Sequence, residues 1–426
     1  MKILLVVHGY PPEKFGGTET YTQWLAHALA GRGHTVGVFT RTASPGEEFE
    51  MTTRFDREVT VWEVRNTYSK YDDYEMHYAN PHIERVFKNV IGEFKPDVVH
   101  FTYLLGGLSA GCLFVAKAAG IKTVVTLTDF HHLCAWGQLL TPAGATCPGP
   151  DFGIRCAICF AGEDPYAGIP KWKRLLLHLL QAERRVEKLK SPGVKRMSAR
   201  LQYLRNALNS ADVVIFPTEA LGKPYRQWGV EGRKLPFGID YNLFKDFSRK
   251  PSDKVRFVFI GQLRIHKGLH VLTEALRKMT DLDNWVLDVY ASANTEEEKR
   301  YFAEAHRGLE RHVRFRGNFP PDEIGRIYEE TDVLVTPSLW TENSPLVILF
   351  AMQTQTTLAS AEVAGIKEVV GDWGYYYPPN DASALERLLR RVITVPSLRN
   401  RPAAPHVLDM DENAALVEKI YMEITR

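Results

Sequence analysis

A chain of 426 residues exceeds one ordinary hydrophobic core and suits two domains of about 200 residues each. Its 45% hydrophobic and 24% charged residues are those of a globular protein, and 53 Lys plus Arg against 51 Asp plus Glu leave no basic field of the kind nucleic-acid partners need. The apolar run Ile3–Val7 is too short for a signal-peptide core, and no later segment reaches the ~18 apolar residues of a spanning helix, so a cytoplasmic protein without structural disulfides is expected.

Ile3–Val7 predicts a buried strand, being short, continuous and β-branched. A loop with Gly16 and Gly17 follows, then a helix whose apolar positions Tyr21, Trp24, Leu25, Ala28 and Leu29 fall on one face. Gly31 and Gly33 stop it, and Val36–Thr40 is the next strand. Ile83, Val86, Phe87, Val90, Ile91 and Phe94 mark a second helix that Pro96 ends; Asp97–Phe101, Lys122–Leu127 and Asp212–Phe216 complete the strands of this half. The pattern restarts at Val255–Ile260, with a helix from about Gly268 to Met279 and strands near Trp285–Val289, Val313–Phe315, Asp332–Val335 and Thr357–Ala359.

Repeated βα units demand parallel sheets with helices on both faces. The expected fold is therefore α/β, with two Rossmann-like doubly wound domains, residues 1–236 and 237–400, joined near Leu235–Phe244 where Pro236 and Gly238 punctuate the chain. Residues 401–426 carry a closing helix (Ala414, Leu416, Val417, Ile420, Tyr421) expected to pack back on the first domain. Open sheets of this type bind ligands at the carboxyl ends of their strands, so the expected site is a central cleft that the two domains face.

Two motifs fall at such strand ends. Gly261-Gln262-Leu263-Arg264-Ile265-His266-Lys267-Gly268 follows Val255–Ile260 and places two cations where a leaving nucleotide diphosphate builds up negative charge. A solvated turn with two surface cations is the plain alternative. Thr336 to Val347 follows Asp332–Val335: Ser344 reads as an N-cap before Pro345, which gives the next helix a positive end for a diphosphate, and Glu342 is placed to accept from sugar hydroxyls.

These residues resemble the large retaining glycosyltransferase family usually numbered four, of GT-B fold, over nearly the whole chain. Pro11-Pro12, Gly16-Gly17-Thr18-Glu19, Leu25-Ala26 and Arg32-Gly33-His34-Thr35-Val36 are similar to its opening; Pro337-Ser338 through Pro345 and Tyr376-Tyr377-Pro378-Pro379-Asn380-Asp381 are similar to its later segments. The resemblance implies front-face transfer without a catalytic metal. Glu342, Arg264 and Lys267 would be the catalytic set. Gly16 and Gly17 would lie by the transferred group, Gly317 and Asn318 by the base, and Glu342 with Asn343, Ser344, Pro345, Leu346 and Val347 would hold sugar and phosphates. A UDP- or GDP-sugar donor and a glycan, lipid-linked or protein-linked acceptor are implied.

Two positions depart from the family pattern. Its second glutamate, eight residues after Glu342, is Phe350 here; its His before an aspartate is Thr128, leaving Asp129, His131 and His132 as acceptor-side candidates. A non-catalytic scaffold relative, or a nucleotide-sugar epimerase of the same fold, therefore stays open beside the transferase.

Within the loop 128–160, Cys134, Cys147, Cys156 and Cys159 suit a structural zinc or an iron–sulfur cluster, with unligated thiols as the alternative. Cys112 reads as core packing. The basic segment 165–209 holds a stripe of Trp172, Leu176, Leu179 and Leu180, and Lys171–Arg205 carries eleven Lys or Arg against two Glu. Such a segment either covers the domain with a solvated face or makes peripheral contact with an anionic membrane.

Overall fold

The computed structural model describes residues 1–151, 153–162 and 192–426. The chain divides into two units: Met1–Phe237 with Met410–Arg426, and Gly238–Asp409.

The first unit is built on β1 (Lys2–Val7), β2 (Thr35–Thr42), β3 (Met51–Asp56), β4 (Val59–Arg65), β5 (Val98–Phe101), β6 (Lys122–Thr126), β7 (Val213–Phe216) and β8 (Arg233–Lys234). They form one sheet in the order β3-β4-β2-β1-β5-β6-β7-β8, parallel throughout except for β3 against β4. Around it lie α1 (Gly17–Gly31), α2 (Pro81–Phe94), α3 (Gly111–Ala118), α4 (Ile154–Phe160), α5 (Pro192–Ser210) and α6 (Glu219–Gln227). Ile3 to Val7 are all buried, as a central parallel strand covered on both faces must be. In α2 the Asn80 side chain accepts from the His82 and Ile83 amides, Pro81 opens the first turn, and Ile83, Phe87, Val90 and Ile91 are buried.

Asp97 and Asp212, expected as first strand residues, instead lie just outside β5 and β7. Their carboxylates accept from the Lys2 and Thr123 amides at 2.7 and 2.8 Å, fastening the starts of the neighbouring strands.

The second unit contains β9 (Gly238–Ile239), β10 (Val255–Ile260), β11 (Trp285–Tyr290), β12 (Val313–Gly317), β13 (Val333–Thr336), β14 (Thr357–Ala361), β15 (Tyr375–Tyr377) and β16 (Leu408–Asp409), with α7 (Leu269–Arg277), α8 (Glu296–His306), α9 (Ile324–Glu329), α10 (Leu346–Gln353), α11 (Ala364–Val370) and α12 (Ala382–Thr394). Its main sheet runs β12-β11-β10-β13-β14-β15, all parallel; β9 pairs with β16. Leaving out the antiparallel β3 and the short edge strand β8, both sheets follow the order 3-2-1-4-5-6. The winding reverses between β1 and β5 in the first sheet and between β10 and β13 in the second, which are the positions where such folds bind ligands.

The closing helix α13 (Met410–Thr425) belongs to the first unit. The Tyr21 hydroxyl donates to Asn413 at 2.9 Å, Asn413 donates to the Pro236 carbonyl at 2.7 Å, and the buried Tyr421 hydroxyl lies 2.6 Å from His100 Nδ1. Among the described residues no helix is long and apolar enough to cross a membrane.

Candidate active site

In the second unit, β10 leads through Gly261–Arg264 into a short 3-10 turn, Ile265–Lys267. Gly268 follows at φ +75°, and a Cβ there would meet the Pro337 carbonyl oxygen at 1.9 Å. Only glycine therefore lets the loop after β10 lie against the loop after β13. Leu339 N donates to the His266 carbonyl at 2.8 Å across the same contact. Gly365 of α11 plays the same part from the other side, since its Cβ would stand 1.7 Å from the Glu342 carbonyl oxygen.

This packing brings Lys267 Nζ to 2.6 Å from Glu342 Oε1. The Ser338 hydroxyl and the Trp340 indole N–H donate to the same oxygen, at 2.6 and 2.8 Å. Glu342 is 5% exposed. Burial alone would raise its pKa, but the Lys267 charge and the three donors outweigh it and hold the carboxyl below its usual range. Oε2 has no partner among the described residues, so one oxygen of a buried, ionised carboxylate stays open to a donor hydroxyl.

Arg264 does not join this group. It is drawn toward α8, 3.8 Å from Glu297 and 3.5 Å from Glu298, so the two cations expected to act together have separate carboxylate partners. Ser344 is not a cap either. The helix starts one residue later than expected, with Pro345 at the N-cap and no side-chain cap, which leaves the first-turn amides of Leu346 and Val347 without side-chain acceptors. Asn343 and Ser344 are buried beside it. Gly317, at φ +73°, ends β12, and Asn318 accepts from the Ser292 hydroxyl at 2.7 Å next to the end of β11. Phe350 is buried with its ring 5.6 Å from Phe244 and 6.1 Å from Tyr328; it is part of the core.

In the first unit, Gly16 caps α1, and a Cβ there would stand 2.5 Å from Glu19 Oε2, whereas Gly17 faces open space. Glu19 is buried and holds His8 Nε2 at 3.2 Å and Lys14 Nζ at 3.0 Å. Asp129 lies 2.7 Å from His131 Nδ1 and accepts from the Tyr103 hydroxyl at 2.8 Å. Burial opposes charge on His131, yet the Asp129 carboxylate wins and raises its pKa; Asp129 is held low in return, against its own burial. His132 is different. Burial lowers it to about 3, and its ring is enclosed against Tyr225, so it is a buried, neutral residue.

Residues 16–237 match the family described as Glycosyl transferase 4-like domain, and residues 240–404 match Glycosyl transferases group 1. The chain belongs to this glycosyltransferase family. It is 24% identical over 411 residues to the glycogen synthase of Mycobacterium tuberculosis, across 95% of this chain and 88% of that one. It is 31% identical over 143 residues to the D-inositol 3-phosphate glycosyltransferase of Corynebacterium diphtheriae, across 31% of this chain and 33% of that one. Sucrose-phosphate synthase from Thermosynechococcus elongatus has the same fold at a TM-score of 0.68 and 19% identity, covering 99% and 98% of the two chains. Anabaena HepE in complex with UDP and glucose follows at 0.61 and 18%, covering 100% and 98%. The fold is GT-B.

Sequence reasoning about this glycosyltransferase missed Ser338, Trp340 and Gly365 on one unit, and His8, Lys14 and Tyr103 on the other. His8 carried a signal in the sequence, because it stands directly after β1 at the ligand-binding edge of the sheet.

All four cysteines of the loop line one small cavity of about 30 Å³, and none is in a disulfide. Burial raises the thiol pKa of Cys147 and Cys156. Among the described residues, however, no group of three or more His, Cys, Asp or Glu side chains is arranged to hold a metal ion, so the expected zinc or iron–sulfur site is not pre-formed. Of the basic segment 165–209, residues 165–191, with the Trp172–Leu180 stripe, lie outside the described residues. Within α5, Arg200 is buried and donates to the His131 carbonyl, so it is not a surface cation.

Proposed function

We propose that this glycosyltransferase binds a UDP- or GDP-sugar on its second unit and transfers the sugar, with retention, to a glycan, lipid-linked or protein-linked acceptor recognised by its first. The observation that carries the proposal is the Lys267–Glu342 pair at the winding reversal of the second sheet, with Oε2 open. An ammonium and uncapped helix amides suit the diphosphate, and a free carboxylate oxygen suits a sugar hydroxyl. Diverting Arg264 from Glu297 and Glu298 to the diphosphate is cheap, because exposed pairs contribute about 0–1 kcal/mol. Gly317 and Asn318 would seat the base. Asp129 and His131 would meet the acceptor, and neither metal nor cofactor takes part in the transfer. HepE, of like fold, has been solved with UDP and glucose, which supports the donor class.

Thermal-shift screening against nucleotide sugars should give stabilisation by one donor, since a ligand of the folded state adds stability by mass action. Turnover with that donor, lost in Glu342→Ala, supports the transferase. Donor binding without turnover favours the scaffold reading that Phe350 and Thr128 motivate. An altered donor sugar favours the epimerase, and no stabilised donor at all sinks the proposal.

Structural zinc at Cys134, Cys147, Cys156 and Cys159 stays in the proposal on one ground only: all four side chains line one cavity and none is in a disulfide. Binding would have to draw them into a tetrahedral set. Elemental analysis should find one zinc per chain, lost in Cys156→Ser/Cys159→Ser; metal-free wild type removes the idea. Peripheral membrane contact rests on the basic composition of 165–209, and salt-sensitive binding to anionic vesicles tests it.

A further inference from the structure

Trp340 touches both members of the donor-side pair. Its indole N–H donates to Glu342 Oε1, and its ring centroid lies 5.2 Å from Lys267 Nζ, within cation–π range. The ring is itself held, meeting His266 edge to face at 5.6 Å, while the backbone bond from Leu339 to His266 ties the two loops together. Burial keeps His266 neutral, with a pKa lowered to about 4, so a second positive charge does not compete with Lys267. A lysine stem has four rotatable carbons, and one ion pair to a carboxylate fixes a point charge but no direction. The aromatic face supplies the second restraint. On the carboxylate, three donors crowd Oε1, and the indole N–H is the one whose direction is set by a rigid ring.

We propose that Trp340 is the positioning residue of the donor site, aiming the Lys267 ammonium at the diphosphate with its ring and committing Glu342 Oε2 to the donor sugar with its indole N–H. The two functions separate chemically, because phenylalanine keeps an aromatic face and loses the N–H, while leucine loses both. The inference rests on the transferase reading, and its test is arranged so that the two fail differently.

Calorimetric titration of the full chain would compare wild type, Trp340→Phe and Trp340→Leu with three ligands of the base found by screening: the nucleoside monophosphate, the diphosphate and the nucleotide sugar. Trp340→Leu should weaken the diphosphate and the nucleotide sugar about tenfold and leave the monophosphate within about twofold, since the cation–π contact that aims Lys267 is lost. Trp340→Phe should hold the diphosphate near wild type, weaken the nucleotide sugar about three- to fivefold, and raise the donor KM while leaving the acceptor KM alone. Equal weakening of all three ligands would mean a structural role only and would overturn the proposal, as would wild-type affinities in both variants. Should Trp340→Leu not fold, the sugar-against-diphosphate split of Trp340→Phe decides. A wild type that binds no nucleotide sugar brings down the transferase reading itself.

Discussion

Glu342→Gln isolates the charge of the donor-side carboxylate while keeping its shape. The amide oxygen still accepts from Ser338 and Trp340, so the loop after β13 keeps its neutral hydrogen bonds. Two things are lost. Lys267 loses its counter-ion in a largely dry place, its side chain being 23% exposed and that of Glu342 only 7%. The sugar hydroxyl that donated to Oε2 meets an amide N–H and must turn to accept, exchanging a charge-assisted bond for a neutral one, a difference of about 1–1.5 kcal/mol. A lysine no longer held at the diphosphate adds a similar loss. At 1.36 kcal/mol per decade, a sum of about 2–3 kcal/mol lowers kcat/KM roughly 30- to 150-fold.

The same change loosens the lysine but spares the rest of the diphosphate seat, so affinity for the bare nucleoside diphosphate should fall by about tenfold, less than the catalytic constant. Initial rates over a donor series, paired with diphosphate titration, read both quantities. A kcat/KM within threefold of wild type would refute the reasoning, and so would diphosphate affinity falling as far as the catalytic constant. The pH dependence follows from the sign of the shift. A carboxyl held below its usual range contributes stability that is complete above about 4.5 and is lost as pH falls through the lowered value. Glu342 therefore stays ionised near neutrality and sets no acid limb there.

His131 has the opposite sign: Asp129 raises it above 6.5, so the stabilisation of the pair is complete below 6.5 and fades as pH rises through the raised value. Acceptor KM should climb on the alkaline side in wild type and lie flat in His131→Gln; parallel profiles would dismiss the role. Phe350→Glu should not restore a ribose contact, because it places a carboxylate between Phe244 and Tyr328; a loss of about 3–5 kcal/mol, seen as a lowered Tm without tighter nucleotide binding, is expected. Gly365→Ala should shift the backbone at Glu342, which a Cβ would otherwise meet at 1.7 Å, and raise donor KM more than tenfold; an unchanged KM would dismiss the close approach. Glu297→Gln should lower donor KM by no more than about threefold, since its pair with Arg264 is exposed; an unchanged KM in both this variant and Arg264→Gln would remove Arg264 from the site.

The parts of the fold that were legible are those where period and burial agree. Val255–Ile260 is the observed strand residue for residue, because every position is apolar or, at Arg256, sealed by Asp332 just before β13. Of the hairpin β3–β4, Val59–Arg65 does alternate and was overlooked, whereas Met51–Asp56 carries no signal because it is polar and largely solvent-facing. The Tyr375–Tyr377 strand was missed for the same want of contrast, since its three aromatic residues are identical on either face. In the site, Lys267 and Glu342 were legible from position alone, as polar groups at strand ends. The partnership between them was not, because it depends on Gly268 and Gly365 bringing separate loops within bonding distance, a close approach that one-dimensional spacing does not encode.

Arg264 shows how position alone can mislead. It sits three residues before Lys267 in a basic turn, which invites the reading of a matched pair, yet the 3-10 turn Ile265–Lys267 sends the two side chains to different neighbours. Lys267 reaches the winding reversal between β10 and β13, where the loop after β10 packs on the loop after β13; Arg264 reaches α8, on the β11 side of β10, where helix Glu296–His306 offers an acidic first turn. The two ion pairs also differ in kind. One is buried and fixed by an indole and a hydroxyl; the other is exposed and easily exchanged. A site that must hold its lysine still but let an arginine swing onto an arriving diphosphate would be built in this way, with rigidity spent where the sugar is oriented and mobility kept where charge arrives.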